Sequence, residues 1–272
     1  MPIFECDNPD SLLNLSTARR AEALFERFAR GEFCLFFQPQ LGLREQRATG
    51  LEALLRWRHP RRGILLPQDF RAVLDDAAAA EKVDLWVLHE AVRQMAAWRA
   101  EGLPVRISVN ISAQLLQRRN LCAYIGALID AYPDVLAADL ELEVRERALT
   151  ENMPALLGQM QACMERGVRF AIDGFGTSFA RFTYLSGLPP VRLKIDRRFV
   201  GRMLDYPDDR AIVRSTLALA DAFRWPVVAT GAETLNHVAQ LTRLGCETAQ
   251  GFAIARPMPA GKVKAWLKEQ AA

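Results

Sequence analysis

Short apolar blocks alternate with longer segments of helical period from Phe33 onward, and the exchange repeats about eight times along the chain. Each block is about five to nine residues long, which is the length expected of an enclosed strand. The blocks predict strands over residues 33–41, 50–57, 105–111, 140–146, 169–175, 191–195, 227–232 and 248–254.

Amphipathic segments separate many of these blocks. In two of them the apolar side chains recur every three or four residues, at Leu85, Leu88, Val92 and Met95 and at Leu156, Met160, Cys163 and Met164. Such helices would form the outer ring of an α/β fold of the (β/α)8 TIM-like barrel type, whose usual size of about 250 residues fits the span. A doubly wound open sheet is the alternative, but no Gly-rich phosphate loop follows any predicted strand.

The segment before the first predicted strand has a different character. Residues 18–30 have a helical pattern, with Leu24, Phe25 and Phe28 on one side and mixed charges elsewhere. We therefore divide the chain into an N-terminal helical extension or linker, residues 1–32, and a barrel domain, residues 33–272. The extension either caps the barrel or joins another domain.

Composition and charge exclude several classes of protein. The 35 basic and 32 acidic residues leave a formal charge of +3, which is too small and too evenly spread for a nucleic-acid footprint. There is no run of about 18 uninterrupted apolar residues and no N-terminal basic segment followed by an apolar block. We therefore expect a soluble cytoplasmic protein that binds neither nucleic acid nor membrane.

Cysteine and histidine are scattered and form no C-x-x-C or related metal motif. The pattern predicts cysteines without disulfides and histidines that serve in packing or on the surface rather than as ligands. These residues are Cys6, Cys34, Cys122, Cys163, Cys246, His59, His89 and His237.

Polar residues interrupt the apolar pattern at seven predicted strands, where a β/α barrel carries its reactive groups. They are Glu52, Asn110, Glu143, Asp173, Lys194, Glu233 and Gln250. Any one of them alone is best explained as a hydrogen-bonded strand-end residue. Together, three carboxylates and one amide at one barrel mouth predict an oxygen-rich site for Mg²⁺ or Mn²⁺, with Lys194 offsetting charge or contacting a phosphate.

The motifs around these positions resemble those of the EAL-domain family of cyclic di-GMP phosphodiesterases over residues 36–259. The name-giving triplet is Glu52-Ala53-Leu54, followed by Leu55-Arg56-Trp57 and His59-Pro60 in the spacing of the family. The sequences V-N-I-S, L-E-x-x-E, F-G-T, K-I-D-x-x-F-V, G-x-E-T and Q-G-F then occur in family order. The resemblance implies the EAL type of TIM-like barrel.

The resemblance also implies roles for individual residues. Glu52, Asn110, Glu143 and Asp173 would hold the first metal, and Lys194 would help position the attacking water. Glu52, Lys194 and Glu233 occupy catalytic positions of the family. Gln38, Leu54, Arg56, Asp196, Glu233 and Gln250 would lie near the bound dinucleotide or its second metal.

Two departures from the family pattern affect the chemistry. Active members have two successive aspartates in D-D-F-G, whereas this chain has Asp173 followed by Gly174, so the second-metal ligand is lost. They have A-E-G-V-E-T, whereas this chain has Thr230 in place of the first glutamate, which is proposed as the general base or as the group that orients the water. Losing a general base alone typically costs about 10²-fold to 10⁴-fold in rate. The following loop, residues 175–181, also diverges, although Glu146, which helps to hold it in active members, is present.

These departures predict a degenerate family member, and we prefer a receptor or effector that binds cyclic di-GMP without efficient hydrolysis. One alternative is a protein-interaction module that binds no nucleotide, and the other is a slow metal-dependent phosphodiesterase that uses the first-metal site. The preferred interpretation implies a single weakened Mg²⁺ or Mn²⁺ site at most and a downstream protein partner. In the family the diverged loop also links the metal to the dimer interface, so a homodimer stays open.

Overall fold

Eight strands close into a barrel in the computed structural model, which describes residues 23–24, 26–177, 185 and 187–271. In chain order the strands are β1 (Phe33–Gly42), β2 (Arg47–His59), β3 (Gly63–Leu65), β4 (Ile107–Asn110), β5 (Leu140–Arg145), β6 (Arg169–Phe175), β7 (Arg192–Ile195), β8 (Val227–Thr230), β9 (Thr248–Gln250) and β10 (Met258–Pro259). Parallel pairing runs from β2 through β4 to β9, and β1 closes the ring between β9 and β2. The predicted barrel is confirmed.

The first strand runs against the other barrel strands. β1 is antiparallel to both of its neighbours, and only residues 43–46 connect it to β2. The alternation of strands and helices is therefore interrupted at this point, because four residues are too few for the crossover that a parallel pair requires. Strands β3 and β10, which the pattern did not predict, lie outside the ring and pair with β2 and β1.

Helices cover the outside of the barrel. They are α1 (Arg71–Leu74), α2 (Ala77–Ala100), α3 (Ala113–Leu116), α4 (Leu121–Asp130), α5 (Glu146–Glu165), α6 (Arg197–Arg202), α7 (Pro207–Phe223), α8 (Leu235–Arg243) and α9 (Ala260–Ala271). Two 3₁₀ turns, Pro67–Phe70 and Ala137–Asp139, complete the described elements. None of the helices in the described ranges has the length and apolar character needed to cross a membrane.

Part of the predicted N-terminal helix packs against the barrel. Residues 26–29 are helical, and the ring of Phe28 lies 5.0 Å from Trp86 and 4.7 Å from Phe33. Leu24 and Arg27 are buried in the same region. Most of the predicted extension (residues 1–22 and Phe25) and most of the diverged loop (residues 178–181) lie outside the described residues.

The described cysteines are free thiols, and one histidine has clear hydrogen-bond partners. Cys34, Cys122, Cys163 and Cys246 form no disulfide, and Cys6 lies outside the described residues. The imidazole of His237 is buried and bonds Thr234 and the Gly201 carbonyl.

Candidate functional site

The barrel interior is built in layers because alternate residues of each strand point inward. Each strand of the ring contributes one polar residue to the layer nearest the mouth, which we call the upper polar layer. These residues are Gln38, Glu52, Asn110, Glu143, Asp173, Lys194, Thr230 and Gln250. Antiparallel pairing places Gln38 directly opposite Glu52, and parallel pairing places Asn110 opposite Glu143. Glu52 lies within β2 rather than at its end, because β2 continues beyond the ring.

Lys194 is the centre of this layer. Its ammonium group is buried and donates hydrogen bonds to both Glu143 oxygens, at 2.6 and 2.5 Å, and to Glu52 Oε2 at 2.9 Å. Glu52 also accepts bonds from Asn110 Nδ2 at 2.8 Å and from Gln250 Nε2 at 2.6 Å. Five residues from five strands that are distant in sequence thus form one hydrogen-bonded cluster.

The cluster contains more acidic groups than basic groups. Burial raises the pKa of Glu143 to about 8, and the neighbouring Glu52 and Asp173 carboxylates add to the effect. Burial likewise raises the pKa of Asp173. Burial would also raise the pKa of Glu52. The positive charge of Lys194 and the hydrogen bonds from Lys194, Gln250 and Asn110 outweigh burial, so the pKa of Glu52 lies below its ordinary value. The pKa of Lys194 is raised, because burial is outweighed by the charges of Glu143 and Glu52.

The chemistry of these side chains fits a hard divalent cation, since three carboxylates and an amide offer only oxygen donors and an excess of negative charge. Their present arrangement is nevertheless organised around the ammonium group of Lys194. Within the described ranges, no three side chains among His, Cys, Asp and Glu converge closely enough to hold a metal ion. Metal binding would therefore require Lys194 to release Glu52 or Glu143.

The predicted ligand positions line the mouth next to this cluster. Gln38 Oε1 accepts a bond from Gln250 Nε2 at 3.1 Å, and Gln38 Nε2 donates to the Ala255 carbonyl at the same distance. Leu54 and Arg56 follow Glu52 on the same face of β2, where the strand extends past the ring. The Arg56 guanidinium is buried, donates to the Leu55 carbonyl at 2.7 Å and lies 5.6 Å from the Phe36 ring centroid.

Two further predicted ligand residues lie at the rim. Asp196 begins α6, where its Oδ1 accepts the backbone N–H of Arg198 at 2.8 Å and the Arg198 Nε at 3.0 Å. Glu233 is exposed and lies three residues beyond the end of β8, whereas the predicted strand, residues 227–232, ended directly before it. The Glu146 carboxylate accepts the backbone N–H groups of Gly176 and Thr177, at 3.1 and 3.2 Å, and thereby holds the start of the diverged loop.

The two departures from the family pattern lie beside the cluster. Thr230 Oγ1 donates its proton to the Ile195 carbonyl at 2.7 Å. Gly174 has φ +72°, and a Cβ placed there would lie 3.5 Å from Asp196 Oδ2. A side chain at Gly174 would therefore reach toward the carboxylate of Asp196.

A second layer of polar residues, which we call the lower polar layer, lies two residues deeper in the barrel and was not predicted from the sequence. Arg192 Nε lies 3.3 Å from Glu141 Oε2, and Arg192 NH1 lies 3.4 Å from Gln40 Oε1. Gln40 Nε2 donates to Ser108 Oγ at 3.3 Å. The alternation in L-E-L-E-V-R was the available signal, because Glu141 and Glu143 must point to the same side of β5.

A partly buried contact behind the layer was also not predicted from the sequence. Asp84 of α2 accepts the backbone N–H of Ser112 at 2.8 Å, two residues after Asn110. Ser112 in turn caps α3 by accepting the N–H of Leu115 at 3.1 Å. Burial raises the pKa of Asp84 to about 6, against an ordinary value of 3.8. The contact fixes the backbone that follows Asn110.

Comparison with known proteins identifies the relatives of this barrel. The EAL domain family matches residues 21–257. The cyclic di-GMP phosphodiesterase PA2567 of Pseudomonas aeruginosa is 34% identical over 236 residues, which is 87% of this chain and 40% of that protein. The bifunctional diguanylate cyclase/cyclic di-GMP phosphodiesterase MucR of the same organism is 34% identical over 266 residues, which is 94% of this chain and 38% of that protein. The chain thus spans less than half the length of both relatives.

A solved structure extends the similarity to three dimensions. The PaMucR phosphodiesterase in its c-di-GMP complex has a TM-score of 0.84 and 34% identity to this chain, with 89% of this chain and 98% of that chain covered. The barrel strands, the order of the sequence motifs and the family match all indicate the same family. The chain belongs to the EAL domain family, whose relatives act in cyclic di-GMP signalling.

Proposed function

We propose that this barrel binds cyclic di-GMP and does not hydrolyse it efficiently, so that it acts as a receptor. The observation that carries the proposal is the hydrogen bond from Thr230 Oγ1 to the Ile195 carbonyl. A threonine hydroxyl cannot take a proton from water near neutral pH, and this hydroxyl already donates its own proton to the backbone. Gly174 offers no side-chain ligand at the other altered position.

Binding is supported by the groups that remain at the mouth. Gln38, Leu54, Arg56, Asp196, Glu233 and Gln250 keep the family residue types for contact with the dinucleotide. Arg56 is held in place by its own strand and by the Phe36 ring, which reduces the entropy lost when it binds a phosphate. Glu52, Asn110, Glu143 and Asp173 would hold Mg²⁺ or Mn²⁺, which when bound would neutralise phosphate charge and lower the pKa of a bound water.

A titration paired with a hydrolysis assay tests the proposal. We expect calorimetry to detect cyclic di-GMP binding, and chromatography after incubation with Mn²⁺ to detect no linear product. Absence of binding at about 100 μM ligand, with and without Mg²⁺, would remove the receptor function. Hydrolysis by the unmodified chain that disappears in Glu52→Ala would instead establish the slow phosphodiesterase.

Restoring the lost carboxylates provides a gain-of-function test. We expect Gly174→Asp combined with Thr230→Glu to raise the hydrolysis rate by about 10²-fold or more, because a base and a second-metal ligand are regained together. The aspartate must adopt φ near +72°, at a cost of roughly 1–2 kcal/mol that the fold must tolerate. Adding Glu52→Ala to this double variant is the control and should abolish the gained activity.

The interaction module that binds no nucleotide gains one supporting observation. Crowded carboxylates without a ligand would repel one another, yet Lys194 reduces this repulsion because its ammonium group donates hydrogen bonds to both Glu52 and Glu143. The acidic cluster is therefore compatible with a barrel that binds no metal. This alternative predicts no binding in the titration and no cellular effect of Glu52→Ala.

A further inference from the structure

The extension of β2 beyond the ring forms a tight hairpin with β3. His59 pairs with Gly63, which has φ +72°, and Arg58 pairs with Ile64. His59 Nδ1 accepts the backbone N–H groups of Arg61 and Arg62, at 3.2 and 3.1 Å, and so fixes the turn. We call residues 58–66 the arginine hairpin.

The inner side of the arginine hairpin is anchored in the hydrophobic core. Trp57 and His59 are both buried, with ring centroids 5.0 Å apart. Trp57 packs 5.7 Å from Phe70, and its Nε1 donates to Glu32 Oε2 at 2.9 Å. The backbone N–H of Arg58 donates to the Glu32 carbonyl at 2.6 Å. The hairpin is therefore a fixed projection rather than a loose loop.

The outer side presents cationic and aliphatic groups together. Arg58, Arg61 and Arg62 are exposed, and Ile64 and Leu66 are 46% and 39% exposed. In the part of the chain that the structure describes, none of the three arginines forms an ion pair with an acidic side chain. The surface therefore combines uncompensated positive charge with two exposed aliphatic side chains.

The same hairpin ends the sheet. Among the described strands, β3 pairs on one side only, with β2, and is a terminal strand of the ten-stranded sheet. An edge strand can accept an additional extended segment through backbone hydrogen bonds. Arginine beside such an edge binds carboxylates through two parallel N–H bonds.

We propose that the arginine hairpin is a docking surface for an extended acidic segment of a partner protein, with carboxylates opposite the arginines and apolar side chains on Ile64 and Leu66. Anionic membranes are usually recognised by about four to eight clustered basic residues, more than this hairpin carries. Single-stranded nucleic acid usually stacks on aromatic side chains, and residues 58–66 contain only the buried His59 ring. This inference goes beyond the proposed function because it uses no residue assigned to the nucleotide.

The test uses the whole chain and a labelled peptide of about ten alternating glutamate and valine residues, followed by fluorescence anisotropy. We expect binding at low salt that weakens as screening increases. Arg61→Glu with Arg62→Glu should weaken binding at least about tenfold, since each carboxylate contact becomes repulsive. Peptide binding should also slow amide hydrogen exchange in β3, which charge attraction alone would not do.

A matched variant separates local recognition from net charge. Arg214→Glu with Arg243→Glu changes the charge equally at exposed positions on α7 and α8, and it should leave binding within about twofold. Equal loss in both double variants would overturn the proposal. So would binding of phosphatidylserine vesicles or duplex DNA in place of the peptide. The nucleotide titration is run on the same variants. Unchanged cyclic di-GMP binding in these variants would show that a failure of peptide binding concerns the arginine hairpin alone.

Discussion

At the residue scale, the mouth is organised by one buried ammonium group. Inward-facing polar positions can be predicted from strand alternation, and all eight residues of the upper polar layer belong to the predicted strands. Their pairing cannot be predicted in this way, because the sequence does not say whether Lys194 bonds Glu143, Glu52 or a ligand. The structure joins Lys194 to both glutamates. The proposed metal ligands thus have an internal competitor.

Removing that ammonium group should destabilise the fold. We expect Lys194→Met to lower the free energy of unfolding by about 3–5 kcal/mol, because Glu143 and Glu52 would remain buried without a counter-charge. Urea denaturation measures the change. Lys264→Met is the control, since the Lys264–Glu101 pair has side chains 42% and 49% exposed and should contribute less than about 1 kcal/mol. Similar losses in the two variants would contradict the interpretation.

The Asp84 carboxyl should make stability depend on pH. Its pKa of about 6 in the folded chain exceeds the ordinary 3.8, so its stabilising contribution is complete below pH 3.8 and is lost as the pH rises through 6. Asp84→Asn keeps an acceptor for the Ser112 N–H and does not ionise. We expect its advantage over the parent to grow by about 3 kcal/mol between low pH and pH 8, measured by denaturation across pH. A constant difference would count against this account.

At the element scale, strand positions were predictable but strand direction was not. All eight predicted blocks coincide with barrel strands, and β6 has the predicted bounds. Alternation of residues is the same in either direction, so it cannot reveal that β1 is reversed. One signal was available, since residues 42–49 between the first two predicted strands are too few for a parallel crossover.

Trp57 stabilises the parts of β1 and β2 that continue beyond the ring. We expect Trp57→Ala to cost about 3–5 kcal/mol, because a fully buried ring between Phe33 and Phe70 is removed. Trp57→Phe should cost about 1–2 kcal/mol, since an aromatic ring remains and mainly the bond to Glu32 is lost. Thermal or urea unfolding distinguishes the two. Phe252→Ala, at a 48% exposed position, should stay within about 0.5 kcal/mol of the parent.

At the scale of the whole molecule, the lower polar layer joins strands that are not adjacent in the ring, because Arg192 of β7 contacts Glu141 of β5 and Gln40 of β1. We expect Glu141→Leu or Arg192→Met alone to cost about 3–5 kcal/mol, because each leaves a buried charge without its partner. The double variant should lie within about 1 kcal/mol of the parent, since two apolar side chains replace the whole pair. A double-mutant cycle in urea measures the coupling. Additive losses would show that the two charges do not act as a unit.

The reversed first strand decides at which end of the barrel that strand begins. Phe33 pairs with Trp57 beyond the mouth, so β1 begins on the ligand side of the barrel. The helix α9 instead runs away from the mouth, and its Lys264 reaches Glu101 at the far end of α2. The first barrel strand and the last helix are therefore oriented toward opposite ends of the barrel, and only the start of β1 lies beside the ligand rim.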